Sequence, residues 1–349
     1  MNLFYPSHDI ALGNGVKHFN PPYAALRLQE DLAALSQIWQ RRNDSAQPIP
    51  WGWDYDTRSY LNKEYKIKLK DLPTDEELET LRQLSSRKTT IDIISKLQSY
   101  SDEFCHASLP LYIDKEDSLI NYLANNDNFV LKTPWSSSGR GLSISKVISK
   151  ETMLKHGVAT IRKMGGIIAE RWYEKIQDFA MLFYVGRNDV EFVGYSLFDN
   201  DEQGTYRSGK LMSNGMIEAS LPATCEIAKT ALTEIFRDMF APLMNKPWEV
   251  GYIGVDMMIV EEAEESQPDY FVHPCVEMNL RCTMGVVARR LFDNNYNEDV
   301  TGDFFITPAM DKEKLLELDK NLCTTYKENY RRLTEIGEET MFMAYAIVS

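Results

Sequence analysis

Long apolar runs are missing from this sequence: no window reaches the roughly 18 consecutive apolar residues that a membrane-spanning helix requires. The first nine residues, Met-Asn-Leu-Phe-Tyr-Pro-Ser-His-Asp, carry neither a basic stretch nor a long apolar one, so they do not read as a secretory signal, and a cytoplasmic address is expected. Cysteine is sparse and unpatterned. The five residues, Cys105, Cys225, Cys275, Cys282 and Cys323, are odd in number and include no C-x-x-C pair, which excludes a disulfide framework and points to reduced thiols. Cys275 and Cys282 beside His273 lack the second paired set that a zinc site needs. Positive charge is also short: a net charge of −14 excludes a dedicated binder of nucleic acid or anionic membrane, although a local cleft of lysines can still hold a nucleotide. There is no G-x-S-x-G elbow, which removes the best-marked route to a covalent nucleophile.

What is present describes an ordinary soluble globular chain, 44% hydrophobic and 26% charged. Its 349 residues suffice for two or three structural units. The most informative stretch runs from Asn128 to Val147. Phe129-Val130-Leu131 and the partly alternating Leu142, Ile144 and Val147 predict two strands. The loop between them concentrates Ser136, Ser137, Ser138, Gly139, Arg140 and Gly141, with Lys132 at the end of the first strand. Small residues let backbone N–H groups crowd an anion, hydroxyls add donors, and Lys132 and Arg140 add charge, so the loop suits a phosphate. It is not a P-loop, because the lysine precedes the glycines and no helix follows directly. A plain hairpin connection is the alternative.

Ahead of this stretch, Leu3-Phe4-Tyr5 predicts a first strand and Pro6 to Gly15 a turn-rich loop in which His8 and Asp9 form a capping pair or touch a ligand. Pro22 opens a helix whose apolar stripe is Ala25, Leu28, Leu32, Leu35 and Trp39. Thr74 and Glu77 form a capping box, and Ser86 is expected to cap a helix carrying Ile91, Ile94 and Leu97. Lys88 falls in that helix's first turn, either as plain surface or aimed at a phosphate.

Beyond the loop, Glu151 to Met164 predicts a helix. The strand after it ends in Glu170, Arg171, Trp172 and Tyr173, read either as a hinge with an aromatic wall or as a strand leaving the core. Three antiparallel strands follow, at Asp178 to Val185, Glu191 to Phe198 and Gly204 to Met212; Arg207 and Lys210 sit on the last, where they are solvated or suit an acidic substrate. After a helix at Pro222 to Asn245, Asp256 interrupts the apolar strand Tyr252 to Val260, and Glu277 and Asn279 share one face of the strand Tyr270 to Arg281. An acid inside an apolar run is costly unless a cation or donors satisfy it. Three oxygen donors on adjacent strands suit magnesium completed by phosphate oxygens. Arg281 follows on the same face, placed to steady a transferring phosphoryl group. Met284 to Phe292 predicts a further helix, and from Thr301 onward the sequence reads as helical and core-covering.

In this order, Lys88, Lys132 with the 136–141 loop, Glu170 to Tyr173, Asp256 and Glu277-Met278-Asn279-Leu280-Arg281 resemble the ATP-grasp superfamily over roughly residues 75 to 295. The segment Phe4 to Gly15 resembles the opening of a pre-ATP-grasp domain. The resemblance implies a mixed α/β and α+β fold: a pre-ATP-grasp α/β domain over 1–85, a first ATP-grasp subdomain over 86–172, and a second over 173–349 with a helical C-terminal segment, the nucleotide lying between the subdomains. It implies that Lys88 and Lys132 hold phosphates, that Ser136 to Gly141 fold over them, that Glu170, Arg171, Trp172 and Tyr173 take the adenine, and that Asp178 reaches the ribose. Asp256, Glu277 and Asn279 would bind Mg2+, with Mn2+ as a substitute. Two departures stand out. The loop is richer in serine than is usual, and Met278 and Leu280 surround Asn279 where a proline after the asparagine is frequent.

The activity implied is an ATP- and Mg-dependent carboxylate–amine or carboxylate–thiol ligase working through an acyl phosphate. Arg281, with Arg207 and Lys210 as further candidates, would steady the acyl phosphate and the incoming carboxylate. The partners implied are a small-molecule or peptide carboxylate and amine, with a homodimer compatible and neither nucleic acid nor membrane involved. A kinase acting on a small-molecule hydroxyl and a non-catalytic nucleotide sensor are the rival readings.

Overall fold

Residues 3–17, 19–40, 47–136, 141–200, 206–263 and 268–349 are described by a computed structural model. The chain begins with helices: α1 (His8–Asn14), α2 (Tyr23–Asp31), α3 (Tyr55–Glu64), α4 (Asp75–Leu84) and α5 (Thr89–Tyr100). Local chemistry explains several of these. Thr74 Oγ1 accepts the Glu77 N–H at 3.2 Å while the Glu77 carboxylate accepts the Thr74 N–H at 2.8 Å, so the expected capping box starts α4. Asp54 caps α3 by accepting the Thr57 N–H at 2.7 Å. Ser86 does not cap α5 itself; its hydroxyl accepts the Lys88 N–H one turn earlier, at 3.3 Å, and Lys88 occupies the N-cap.

Two expectations for this region are corrected. Leu3–Tyr5 forms no strand, and among the described residues none precedes Leu111, so the α/β character expected of residues 1–85 is absent. Leu3 instead gives one carbonyl to the Trp51 N–H at 3.0 Å, while Phe4 is buried against Trp51 edge-on at 4.8 Å. The supposed loop after Pro6 is helix α1, because Ala11 and Leu12 supply a buried face.

The middle of the chain follows as β1 (Leu111–Ile113), α6 (Glu116–Asn125), β2 (Phe129–Lys132), β3 (Leu142–Ile144), α7 (Lys150–Met164), β4 (Ile167–Arg171), β5 (Lys175–Val185), β6 (Val190–Asn200) and β7 (Tyr206–Leu211). Then come α8 (Asn214–Ser220), α9 (Thr224–Phe240), β8 (Gly251–Ala263), β9 (Pro268–Asn279), α10 (Met284–Asn295), β10 (Gly302–Pro308), α11 (Lys312–Tyr326), β11 (Tyr330–Arg332) and β12 (Phe342–Val348). The region after Thr301 is therefore not simply helical. Its three strands extend the large sheet, because Phe342–Val348 pairs residue for residue with Gly302–Pro308.

The strands make two antiparallel sheets, one of four strands in the order β1-β4-β2-β3 and one of eight in the order β11-β12-β10-β7-β6-β5-β8-β9. The small sheet has its own core: Ile113, Phe129, Leu131, Ile167 and Ala169 pack with Leu119 of α6 and Met153 of α7. Because side chains alternate across a strand, Val130, Lys132, Ile168 and Glu170 are left on the other face. The large sheet shares one core with the N-terminal helices, including Trp39, Ile93, Ile94, Phe183, Phe236 and Ile253. Helix α5, expected in the same subdomain as the small sheet, packs on β9 and α9 instead.

Candidate active site

The site is built where the face of the small sheet that carries Lys132 and Glu170 meets β8 and β9. On the small sheet, Lys132 lies diagonally from Glu170 across the β2–β4 ladder, and the two buried side chains form an ion pair. The Lys132 ammonium also donates to the carbonyl of Val276 on β9 at 3.2 Å, so a small-sheet cation touches the large sheet directly. Tyr112, Ile168 and Lys132 form one row across β1, β4 and β2, and Lys88 sits 4.5 Å above the Tyr112 ring. Both lysines expected to meet phosphates thus stand on the same face of the same sheet, with Lys88 exposed and Lys132 buried.

The loop after β2 is closed at its root by the Thr133 N–H donating to the Gly141 carbonyl at 3.0 Å. Gly141 has φ 74°, and a Cβ there would lie 2.3 Å from Thr133 Oγ1, so this corner admits only glycine without displacement. Ser136 is held in place, whereas Ser137, Ser138, Gly139 and Arg140 lie outside the described residues.

On the large sheet, Asp256 and Glu277 are directly opposite each other in the β8–β9 ladder, and Asn279 is opposite Gly254 one pleat further along. All three side chains therefore share one face. Asn279 Nδ2 donates to Asp256 Oδ2 at 3.0 Å. Burial first, and the neighbouring Glu277 charge second, push the Asp256 carboxyl up to about 7, with Arg281 and the Asn279 hydrogen bond pulling the other way and Asp178 adding to the rise. Asp178 lies on β5, on the face of Asp256 by the register Asp178↔Met258 and Ala180↔Asp256, and is paired with Lys175.

Among the described residues no group of three or more His, Cys, Asp and Glu side chains is placed to hold a metal. The donor set here is two carboxylates and a carboxamide on one face of adjacent strands, hard oxygen donors of the kind that suit a divalent cation. The residues fit the ion on that ground.

Arg281 is fixed from a distant part of the chain. Its Nε donates to Asp9 Oδ1 and Oδ2 at 3.0 and 2.8 Å, and Nη2 lies 2.7 Å from Asp9 Oδ2. Burial alone would raise the Asp9 pKa, but Arg281 overrides it and holds the carboxyl below its ordinary value. Asp9 is in the first turn of α1, and the preceding His8 is anchored to Asp54 at 2.9 Å. Reading His8 and Asp9 as a capping pair is thus corrected: each reaches across the molecule to a charged partner.

The hinge residues divide. Glu170 is committed to Lys132. The Arg171 guanidinium lies 5.0 Å over the Tyr173 ring. The Trp172 N–H donates to the Asn128 carbonyl at 3.2 Å, the Asn128 side-chain amide donates to the Trp172 carbonyl at 3.1 Å, and the Tyr173 hydroxyl accepts the Ser108 N–H at 2.8 Å. Tyr173 packs edge-on against Phe271 and His273, and burial holds His273 neutral by lowering its pKa to about 3. A wall of aromatic groups is therefore present where the two sheets meet.

The candidates on β7 are not brought to this place. Lys210 pairs with Asp303 of β10 at 2.8 Å, and continuing the register of β7, β6 and β5 puts it on the face of Phe179, opposite that of Asp256. Arg207 is the extra residue at the β6–β7 register shift and is exposed.

One residue that sequence reasoning misses lies at the centre. Arg87, buried, donates from Nη1 to the Thr133 carbonyl at 2.9 Å and to Ser136 Oγ at 2.6 Å, and from Nη2 to both Glu277 oxygens at 2.8 and 3.0 Å. The helical period marks it: positions 90, 94 and 97 are buried on α5, and stepping back from 90 and 94 gives 87, not 88.

No family model matches the sequence, and no curated protein matches it. Among solved structures, the chain is similar to N5-carboxyaminoimidazole synthetase from Staphylococcus aureus complexed with ADP, at 13% identity over 77% of this chain and 68% of that one, with a TM-score of 0.47. It is similar to a biotin carboxylase–β-γ-ATP complex from Campylobacter jejuni, at 11% identity over 85% and 70%, with a TM-score of 0.49. A third is the biotin carboxylase domain dimer of Hydrogenobacter thermophilus 2-oxoglutarate carboxylase with MgADP, ADP and bicarbonate, at 12% identity over 98% and 72%, with a TM-score of 0.47. These three likenesses are partial, with TM-scores below 0.5, and the roles of individual residues rest on this chain's own geometry.

Proposed function

We propose that this chain is an ATP-grasp enzyme, a ligase that uses ATP and magnesium to join a carboxylate to an amine through an acyl phosphate. The observation that carries the reading is the pair of cross-links between the sheets: Lys132 to the Val276 carbonyl, and Arg87 from the loop root to Glu277. They join Lys132 and the loop root to the strand that carries Glu277, across the junction of the two sheets. In this reading Lys132 and Lys88 would hold phosphate oxygens, and the Tyr173 wall would receive a base. Asp256, Glu277 and Asn279 would hold magnesium, which neutralises phosphate charge when bound. Arg281, its guanidinium oriented by Asp9, would steady the carboxylate as its oxygen attacks the terminal phosphorus and the bond to ADP breaks. The phosphorylation step needs no general base, because the carboxylate attacks as its anion; the amine then attacks the acyl carbon, expels inorganic phosphate and gives up its proton to that phosphate or to water.

The test is turnover in the presence of hydroxylamine, with ATP, Mg2+ and a panel of amino acids and dipeptides, scored for ADP and for hydroxamate. Hydroxamate formed in step with ADP supports an activated carboxyl. A stable phosphoester identifies a kinase, and failure to bind ATP at all removes the nucleotide reading.

A further inference from the structure

Arg87 is tied to the loop root three times over. Its backbone N–H donates to the Pro134 carbonyl at 2.9 Å, and Nη1 donates to both Thr133 O and Ser136 Oγ. The other side of the guanidinium meets both oxygens of Glu277, 190 positions away in sequence. Its own carbonyl accepts the Thr90 hydroxyl at 2.7 Å, fixing the residue to the start of α5. The side chain is 5% exposed, and its buried Nε has no hydrogen-bond partner among the described residues. Arginine suits the task, since a planar fork can bond two bodies at once where a lysine ammonium makes a point contact.

From this geometry, and resting on the function proposed above, we infer that Arg87 is a positioning residue that makes the phosphate loop and the metal-binding acid one energetic unit. A nucleotide held against the 133–136 segment bears on Arg87, and Arg87 on the Glu277 carboxylate beside Asp256. Filling the metal position then strengthens nucleotide binding through the protein, in addition to the direct bond between ion and phosphate. By linkage the effect runs equally in the other direction.

The experiment is calorimetric titration of the full chain with ADP, in EDTA and in excess Mg2+, for the wild type, Arg87→Gln, Glu277→Gln and the double variant, with Arg87→Lys alongside. The expected result is that Arg87→Gln reduces the gain on adding Mg2+, taken relative to its own affinity in EDTA, by a factor within the usual coupling range of about 5- to 150-fold. The double variant should lose no more of that gain than the worse single variant, because both interrupt the same link. Arg87→Lys should restore part of the gain, by charge to Glu277, while leaving the loop contact broken. If Arg87→Gln does not fold, as judged by circular dichroism, Arg87→Lys carries the test, with a partial loss of the Mg2+ gain expected. An equal loss of affinity with and without Mg2+, an increase in the Mg2+ gain, or additive losses in the double variant would each overturn the inference. Wild-type protein that binds no nucleotide under either condition overturns the underlying function as well. Wild-type binding with an unaltered Arg87→Gln response sinks this inference alone.

Discussion

Replacing Asp256 with asparagine should make the ligand-free protein more stable, and by an amount that grows with pH. The Asp256 carboxyl is pushed from an ordinary 3.8 up to about 7 by burial and by Glu277. A carboxyl raised in the folded state binds its proton more tightly there than in the unfolded chain. Below pH 4 both states are protonated and no penalty exists; between pH 4 and 7 the folded state holds a proton that the unfolded chain releases, and the penalty grows; above 7 it is complete. A rise of that size corresponds to at most about 4 kcal/mol, at about 1.36 kcal/mol for each tenfold change in proton affinity. Asp256 is half-buried, so solvent screening brings the expected value to about 2 kcal/mol, or a few degrees in Tm. The assay is thermal unfolding of wild type and Asp256→Asn from pH 4 to 8 in EDTA, with the difference between the two curves as the quantity followed, since other titrating groups largely cancel in it. The variant should match the wild type near pH 4 and exceed it increasingly toward pH 8. Added Mg2+ should raise the wild type at pH 8 and leave the variant in place. A difference that stays flat with pH, or a variant less stable at pH 8, would refute the electrostatic account of this strand.

Lys132→Met should destabilise the fold by about 3–5 kcal/mol because it leaves the buried Glu170 carboxylate without its cation, and adding Glu170→Gln should recover most of that loss without restoring ATP affinity; denaturant unfolding and nucleotide titration of both variants separate the two effects. Gly52→Ala would place a Cβ 2.6 Å from His8 Nε2, forcing the imidazole away from Asp54. The expected cost is about 1–3 kcal/mol, and because Asp9 follows His8, turnover should fall further than the fraction unfolded explains; equal losses in Tm and kcat would contradict that coupling.

Much of the candidate site was legible because its residues break the pattern of their surroundings. Asp256 and Glu277 are acids inside apolar strands, and Lys132 ends one just before a glycine-containing loop; each is a local anomaly with a physical cost. The Thr74–Glu77 box was legible because a capping box is complete within four residues. Arg87 was not, because Lys88 beside it is chemically similar and only the phase of α5 decides which of the two points inward. Asp9 was obscured by a different limit: its partner, Arg281, is 272 residues away, and no local pattern encodes a contact at that range. Lys210 illustrates the reverse error, since its sign suited a substrate but its register gave it to Asp303. The strands after Thr301 were missed because their stability comes from joining a sheet that already exists, which short-range propensity does not report.

The grip of helix α1 on Arg281 also bears on how the protein becomes active. Two segments 272 residues apart must find each other before Asp9 can orient that guanidinium, and such long closures are entropically slow. Chains recovering from denaturant would thus regain helix and sheet content before the corner proposed to steady a carboxylate is complete, passing through a form that is folded yet idle.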